Sequence, residues 1–135
     1  MNLRRMRFLL NRLPMARFRV ERAMSRAARC TSSLTGMPRG GSSGSQVESG
    51  ALMLDQARKA YEAIKLEIEE MREELRPCIG TLSDPLERTA MNMRYMDGVS
   101  AREIAWRLNY SEQHIHRVLR AAEAKVEKDV SDVSQ

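Results

Sequence analysis

Two short amphipathic segments with helix-start residues, joined by a three-residue turn, occupy positions 98–126. Ser100 can cap the first helix, with Glu103 three residues later as its partner in a capping box. Ser111 can cap the second helix, and Gly98 ends whatever precedes the pair. Asn109 lies where the turn can require a positive φ, which Asn tolerates better than most residues. This punctuation predicts a helix-turn-helix, the arrangement in which the second helix enters the major groove of DNA.

The apolar residues of the two segments recur at helical spacing, so each helix has one inward face. The predicted inward residues are Ile104, Ala105, Leu108, Ile115, Val118, Leu119 and Ala122. The outward residues of the second helix would then be Glu112, Gln113, His114, His116, Arg117 and Arg120. Such groups bond base edges and phosphates. The alternative is a helix pair that only packs.

Composition favours helices over a β-sandwich. The chain has only one Trp, three Tyr and two Phe, whereas it has ten Met. Basic charge is concentrated at the start, since residues 1–50 hold ten arginines against two glutamates, although the whole chain carries a formal charge of only +5. Such an arm can attract phosphate, or it can be a solvated helix face beside the acidic helix that follows.

The first half of the chain carries two heptad patterns, which predict an antiparallel, coiled-coil-like helical hairpin over residues 1–80. The second pattern predicts a helix at about 47–77, closed by Pro77, with the seam Leu54, Ala57, Tyr61, Ile64, Ile68, Met71, Leu75 and Cys78. The first predicts a helix at about 2–30, interrupted at Arg17, with a kink at Pro14 or a start just before it. Its predicted seam is Leu3, Met6, Leu10, Leu13, Val20, Met24 and Ala27.

The remaining segments complete an all-α organisation. A stretch rich in Ser, Gly and Pro at 31–46 predicts a flexible loop. Asp84 and Pro85 open a further helix, with Glu87 completing a capping box, so that residues 81–130 form a three-helix, helix-turn-helix bundle. We expect a disordered tail at 131–135. Both cysteines are expected to be free thiols.

The segment LERTAMNMRYMDGVSAREIAWRLNYSEQHIHRVLRAAEAKV resembles region 4 of the sigma-70 factors, which reads the promoter −35 element. The whole chain resembles small helix-turn-helix proteins of Gram-positive bacteria and their phages, related to the RinA and ArpU type of late-gene regulator. In that family an RY-x-x-G stretch is matched here by Arg94, Tyr95 and Gly98. The resemblance implies a sigma-factor-like transcription regulator that binds double-stranded promoter DNA.

The residues indicate how such binding could work. Gln113 and Arg117 are the first candidates for base contacts, because Gln pairs with adenine and Arg with guanine through two hydrogen bonds each. Glu112 can accept a hydrogen bond from cytosine, and His116 is placed to reach either a base or the backbone. The predicted contacts to the DNA backbone are Ser111, Arg102, Arg107, Arg120 and His114.

The same residues are compatible with other functions and partners. A phage terminase small subunit is the runner-up, and a helical adaptor that does not bind DNA is the third hypothesis. RNA polymerase is a further candidate partner, as is a second copy through the heptad helices. The chain lacks HExxH, nucleophile-elbow and phosphate-loop motifs, so we expect no enzyme, and no cofactor or metal ion.

No apolar run approaches the ~20 residues that span a membrane. We therefore expect no membrane partner and a location in the cytoplasm of a bacterial host cell. A mitochondrial transit peptide at the Arg-rich start is the alternative.

Overall fold

The computed structural model describes residues 2–34 and 43–133, and within them the side chains of 2–29 and 48–128. This part of the chain forms five α-helices without a strand, which confirms the all-α prediction. The helices are α1 (Leu3–Leu34), α2 (Ser43–Gly80), α3 (Pro85–Met91), α4 (Ala101–Leu108) and α5 (Glu112–Val133), with a π-helical turn at Asn92–Met96 directly after α3.

Both long helices run through a proline that the sequence analysis treated as a boundary. Helix α1 begins at Leu3, so a start just before Pro14 is wrong. Helix α2 likewise continues past Pro77 to Gly80. Burial explains the second extension, because Ile79 is only 2% exposed and Leu82 only 4%. Packing of these residues outweighs the one backbone hydrogen bond that Pro77 removes.

The chain divides into two compact units, of which one comprises Asn11–Glu67. In this unit α1 packs on α2. Near the end of α1, Nη1 of Arg26 donates a hydrogen bond of 3.7 Å to Sδ of Met53, which lies near the start of α2. The two helices therefore form the predicted antiparallel hairpin.

The inward face of α1 in this unit differs from the predicted seam at Met24, whereas the other three predicted residues of this stretch are half-buried. Met24 is 48% exposed, whereas Ala16 and Ala23 are 8% and 9% exposed. Arg17 does not interrupt the seam, because the seam passes through Ala16 while Arg17 is exposed. Small alanines let two helix backbones approach closely, but they add little to a pattern judged by large apolar side chains. That is why the prediction chose Met24.

The predicted seam of α2 is confirmed, since its eight residues are all buried or half-buried. The most buried residues of the seam lie in the second half of the helix. Leu54, Ala57, Tyr61 and Ile64 are half-buried, whereas Ile68 and Leu75 are 1% and 0% exposed.

The second compact unit comprises Met1–Leu10 and Ile68–Gln135, so it joins the two ends of the chain. Helices α3 and α4 both pack on α5. The core of this unit contains residues from every helix: Leu3, Met6, Leu9 and Leu10 of α1, Ile68, Leu75 and Ile79 of α2, Ala90, Met91 and Tyr95, Ile104 and Ala105 of α4, and Ile115, Leu119, Ala122 and Val126 of α5. The C-terminal bundle is thus completed by residues far away in sequence.

Helix α3 starts and ends with well-defined hydrogen bonds. The carboxylate of Asp84 accepts the amide of Leu86 at 2.9 Å, and Pro85 follows as predicted. Directly after α3, the amide of Asp97 donates to the carbonyl of Asn92, five residues earlier, and this bond defines the π-helical turn. The wider turn places Tyr95, 0% exposed, in the core. Its carbonyl accepts a hydrogen bond of 2.8 Å from Nε of Arg72 on α2.

The boundary predicted between residues 80 and 81 stays a prediction, and the two compact units divide the chain after Leu10 and after Glu67. Of the predicted loop at 31–46, residues 31–34 and 43–46 are helical. Residues 35–42 lie outside the described part. Helix α5 extends into the predicted tail as far as Val133, and the last two residues lie outside the described part.

Candidate nucleic-acid interface

Helices α4 and α5 begin at the two predicted caps. Ser100 has extended backbone angles, and its side chain accepts the amide of Glu103 at 3.3 Å. The hydroxyl oxygen of Ser111 accepts the amide of His114 at 3.1 Å. Each bond satisfies one of the amides that the first turn of a helix leaves without a partner. The start of each helix is therefore fixed by its own sequence.

The turn between the helices depends on one left-handed residue. Asn109 has φ 59° and ψ 40°, and it ends α4 by donating its amide to the carbonyl of Ala105. The preceding turn uses Gly98, with φ 70°. These are the described residues with positive φ, and both are of types that adopt this region at low cost. The backbone therefore turns at Gly98 and Asn109, the two positions at which the sequence predicted a break between helices.

The inward faces agree with the periodicity. Ile104, Ala105, Ile115 and Ala122 are between 0% and 4% exposed, Leu119 is 5% exposed, and Leu108 and Val118 are half-buried. This apolar side fixes the rotation of α5 about its own axis. The polar side of the helix must then face away from the core.

The outward face of α5 carries three predicted DNA contacts in a continuous strip, two of them predicted to reach bases and Arg120 predicted to reach the backbone. Gln113, Arg117 and Arg120 follow one another at spacings of four and three, so they are neighbours on the helix surface, and all three are exposed. From Gln113 to Arg120 the helix rises ~10 Å, which corresponds to about three base pairs. The strip therefore has the length of a short recognition site.

Three of the predicted contacts take part in pairs within their own helix. Nε2 of His116 lies 3.6 Å from Oε1 of Glu112, with both side chains about half exposed. On α4, Nε of Arg107 donates to Oε1 of Glu103 at 3.3 Å. Exposed pairs of this kind contribute little to stability, so either residue can exchange its partner at low cost.

Ser111, His114 and Tyr110 form a small cluster at the start of α5. The ring of His114 stacks on that of Tyr110, with ring centroids 5.0 Å apart. Because the oxygen of Ser111 accepts the amide of His114, its hydroxyl proton can still be donated to another group. This cluster presents a hydroxyl and an imidazole edge beside the exposed strip.

Trp106 is the residue of this surface that the sequence analysis missed. It is the chain's single tryptophan and is 78% exposed on α4. Arg102, four residues earlier on α4, is also exposed, so the two side chains are neighbours on the helix surface. The helical pattern contained the signal, because Trp106 falls outside the face formed by Ile104 and Ala105.

Behind this surface α5 is tied to the rest of the unit by a buried polar group. Glu123 accepts a hydrogen bond of 2.6 Å from the hydroxyl of Tyr95 and one of 2.7 Å from Nη1 of Arg7. Burial and the hydrogen bond to Glu123 together raise the pKa of Tyr95 well above its usual value. Tyr95 therefore remains a neutral donor at physiological pH. Burial alone would lower the pKa of Arg7, but its electrostatic interactions and hydrogen bonds with Tyr95 and Glu123 raise it above its usual value.

A second ion pair also joins α5 to α3. Nζ of Lys125 donates to both carboxylate oxygens of Glu87, at 2.8 Å and 3.0 Å. Glu87 was predicted to complete a capping box with Asp84, but the structure directs its carboxylate to Lys125. Among the described residues, Glu87 is the buried charged side chain, at 6% exposure.

The described residues also bear on metal binding, on the cysteines and on membrane crossing. Across the described side chains, no group of three or more His, Cys, Asp or Glu residues could hold a metal ion. Cys78 is a free thiol, and the side chain of Cys30 lies outside the described part. Within the described ranges, no helix offers an apolar stretch of the length that crossing a bilayer requires.

Comparison with known families gives one match. A family described as "Protein of unknown function (DUF1492)" matches residues 46–127, well over half of the chain. The chain belongs to the DUF1492 family. The matched region runs from the first turns of α2 into α5, so it includes the complete helix-turn-helix, while α1 lies outside it. Searches among curated proteins and among solved structures gave no significant match.

Proposed function

We propose that this DUF1492 protein binds double-stranded DNA sequence-specifically and regulates transcription in the manner of a sigma factor. The observation that supports the proposal most directly is the exposed strip of Gln113, Arg117 and Arg120 on a helix whose start and rotation are fixed by a cap, a left-handed turn and an apolar inner face. A rigid helix with an outward polar face is what readout in the major groove requires.

In this proposal α5 lies in the major groove with its first turns deepest. Gln113 and Arg117 contact base edges, because both side chains can form paired hydrogen bonds with one base. Glu112 and His116 flank them and exchange their mutual contact for base contacts.

Sequence-independent contacts hold the helix in register. Ser111 donates its hydroxyl to a phosphate next to the amides of the first turn of α5. Arg102 and Arg107 reach the backbone on one side of the groove from α4. Arg120 and His114 contact it from α5.

The experiment is the selection of bound duplexes from a random pool, followed by anisotropy titrations of the selected and a random duplex. The wild type should prefer the selected site. Arg117→Ala should reduce discrimination by ~1–3 kcal/mol, the worth of one bidentate base contact. Arg76→Ala is the matched control, since it removes one exposed arginine from α2, far from α5 in sequence. A wild type without preference over random duplex would refute the proposal.

A sigma-like action adds two partners to the DNA. RNA polymerase would contact the regulator at a promoter, and a second copy would contact it through the heptad helices. Co-sedimentation with polymerase at the selected site tests the first partner, and the sedimentation coefficient of the free protein tests the second.

Exposed apolar side chains favour a second candidate, a terminase small subunit that packages phage DNA. Phe18, Met24 and Leu66 are 53%, 48% and 63% exposed, more than a monomeric hairpin requires. A packaging protein would bury them in a ring. Light scattering separates the two functions, because a monomer or dimer favours the regulator and an assembly of about eight chains favours packaging.

A further inference from the structure

A long open groove runs between α1 and α2 in the unit Asn11–Glu67. Its volume is about 720 Å³, and both helices line it. On α1 the lining extends from Asn11 to Arg29, a rise of ~27 Å, and on α2 from Met53 to Ile64, a rise of ~16 Å. The groove is thus elongated along the helices, and its length matches about three to five turns of another helix.

The floor of the groove is apolar and its residues are small. Ala16 and Ala23 of α1 face Ala57 and Ala60 of α2, with Ile64 towards one end. Two helices bury only one side of their shared seam, and the half-buried state of Ala57 and Ile64 reflects the open side. Small side chains leave room for larger apolar side chains from outside.

The rim of the groove is strongly basic. Five arginines of α1 line it, and no carboxylate occurs among the described lining residues: Arg12, Arg19, Arg22, Arg26 and Arg29. They recur at steps of seven, three, four and three, so they follow one side of α1 along the groove. The unit as a whole holds ten basic against five acidic residues, which is the entire net charge of the chain. An occupant should therefore be anionic along its length.

We propose that this groove binds an acidic amphipathic helix of a partner protein. The apolar stripe of that helix would cover the alanine floor, and its flanking glutamates or aspartates would pair with the arginines of the rim. Charge complementarity and the elongated apolar floor support this occupant together. A nucleic acid would use the rim but leave the floor exposed to water. A second copy of this unit would bring its own surplus of positive charge to the rim.

The test uses the full-length protein and a labelled 18-residue helical peptide with Leu at each heptad a and d position and Glu at e and g. We expect anisotropy to show saturable binding that weakens as salt rises. Arg19→Gln combined with Arg22→Gln should weaken the peptide by about tenfold. A peptide in which Lys replaces every Glu should not bind.

Matched controls distinguish the groove from general basic charge. Arg17→Gln combined with Arg58→Gln removes the same number of charges, one from α1 and one from α2, at exposed positions outside the groove lining, and it should leave the affinity within about twofold. Ala60→Glu places a carboxylate in the floor at an exposed helical position and should weaken the acidic peptide as strongly as the rim variant does.

Three results would overturn the proposal. One is the absence of binding by the acidic peptide, and another is equal weakening by the rim and control variants. The third is that the rim variant weakens a DNA duplex but not the peptide, which would assign the groove to nucleic acid. Sedimentation velocity adds a check, since a dimer that Ala60→Glu dissociates would make a second copy the occupant. Arg117 and α5 take no part in this test, so its failure leaves the proposed DNA binding untouched.

Discussion

The phenolic hydroxyl of Tyr95 donates a 2.6 Å hydrogen bond to Oε1 of Glu123, a residue of α5 that lies 28 positions further along the chain. The other carboxylate oxygen accepts Arg7 of α1 at 2.7 Å. One carboxylate thus connects three parts of the unit that carries the helix-turn-helix. The side chain of Glu123 is only 13% exposed, so its charge depends on these two donors.

Tyr95→Phe should lower the free energy of unfolding by about 1.5–3 kcal/mol at pH 7, the range for a hydrogen bond to a charged group. The ring stays in the core, so the loss reports the hydroxyl. Urea denaturation should show a lower midpoint with an unchanged slope. An unchanged midpoint would mean that the hydroxyl contributes nothing.

Alkaline pH should weaken the wild type more than Tyr95→Phe. The pKa of Tyr95 is raised in the folded state above its ordinary value of 10.0, so its stabilising effect is complete below that pH and is lost as pH rises towards the folded pKa. At pH 11 the wild type should have lost ~1.4 kcal/mol relative to pH 8, beyond any loss in the variant. Parallel denaturation curves at the two pH values measure this difference. Equal losses would contradict the raised pKa.

Lys125→Met should destabilise the unit because it leaves the buried carboxylate of Glu87 without its cation. We expect a loss of about 1–2 kcal/mol, reduced by the half-exposed position of the lysine. Adding Glu87→Gln should recover more than half of it, since the neutral amide is cheaper to bury. Thermal unfolding of the two variants gives the comparison. Additive losses would show that the pair is not coupled.

Asn109 should tolerate glycine but not a β-branched residue. Its φ of 59° lies in the left-handed region, which glycine adopts freely and valine does not. Asn109→Gly should change the unfolding free energy by less than about 0.5 kcal/mol, and Asn109→Val should cost about 1–2 kcal/mol. Melting temperatures measured side by side provide the check. A tolerated valine would argue against this turn.

Trp106 offers a direct optical test of whether α4 faces bound DNA. As the single, 78% exposed tryptophan, it should be strongly quenched by acrylamide in the free protein. If Arg102 and Arg107 contact the backbone, the selected duplex should reduce the quenching constant. Acrylamide is neutral, so DNA does not repel it. Unchanged quenching in a saturated complex would place the outer face of α4 away from the DNA.

Local rules predicted the helix-turn-helix with its caps, its left-handed turn and both inner faces. Ser100, Ser111 and Asn109 act on residues at most five positions away, so their roles can be derived from the sequence. The α2 seam was predictable for the same reason, because helical periodicity is a local property. The outward positions of Gln113 and Arg117 followed from the inner face.

Long-range packing was beyond the sequence. No local sequence pattern indicates that Arg7 binds Glu123 or that the first ten residues join the C-terminal bundle. Nor does one indicate that the carboxylate of Glu87 pairs with Lys125 instead of forming a capping box. The end of α2 was misplaced because Pro77 was given its cost without the compensating burial of Ile79. The seam at Ala16 and Ala23 was overlooked because alanine carries little apolar area.

The contact between Arg7 and Glu123 spans 116 residues, which has a consequence for how the protein is made. As the chain leaves the ribosome, Leu3 and Met6 emerge early but have no core to enter until α5 has emerged as well. Closing so long a loop is slow compared with forming any one helix. Nascent chains should therefore leave the first ten residues unburied until α5 has been made, and the helix-turn-helix should reach its final rigidity only when both segments are available.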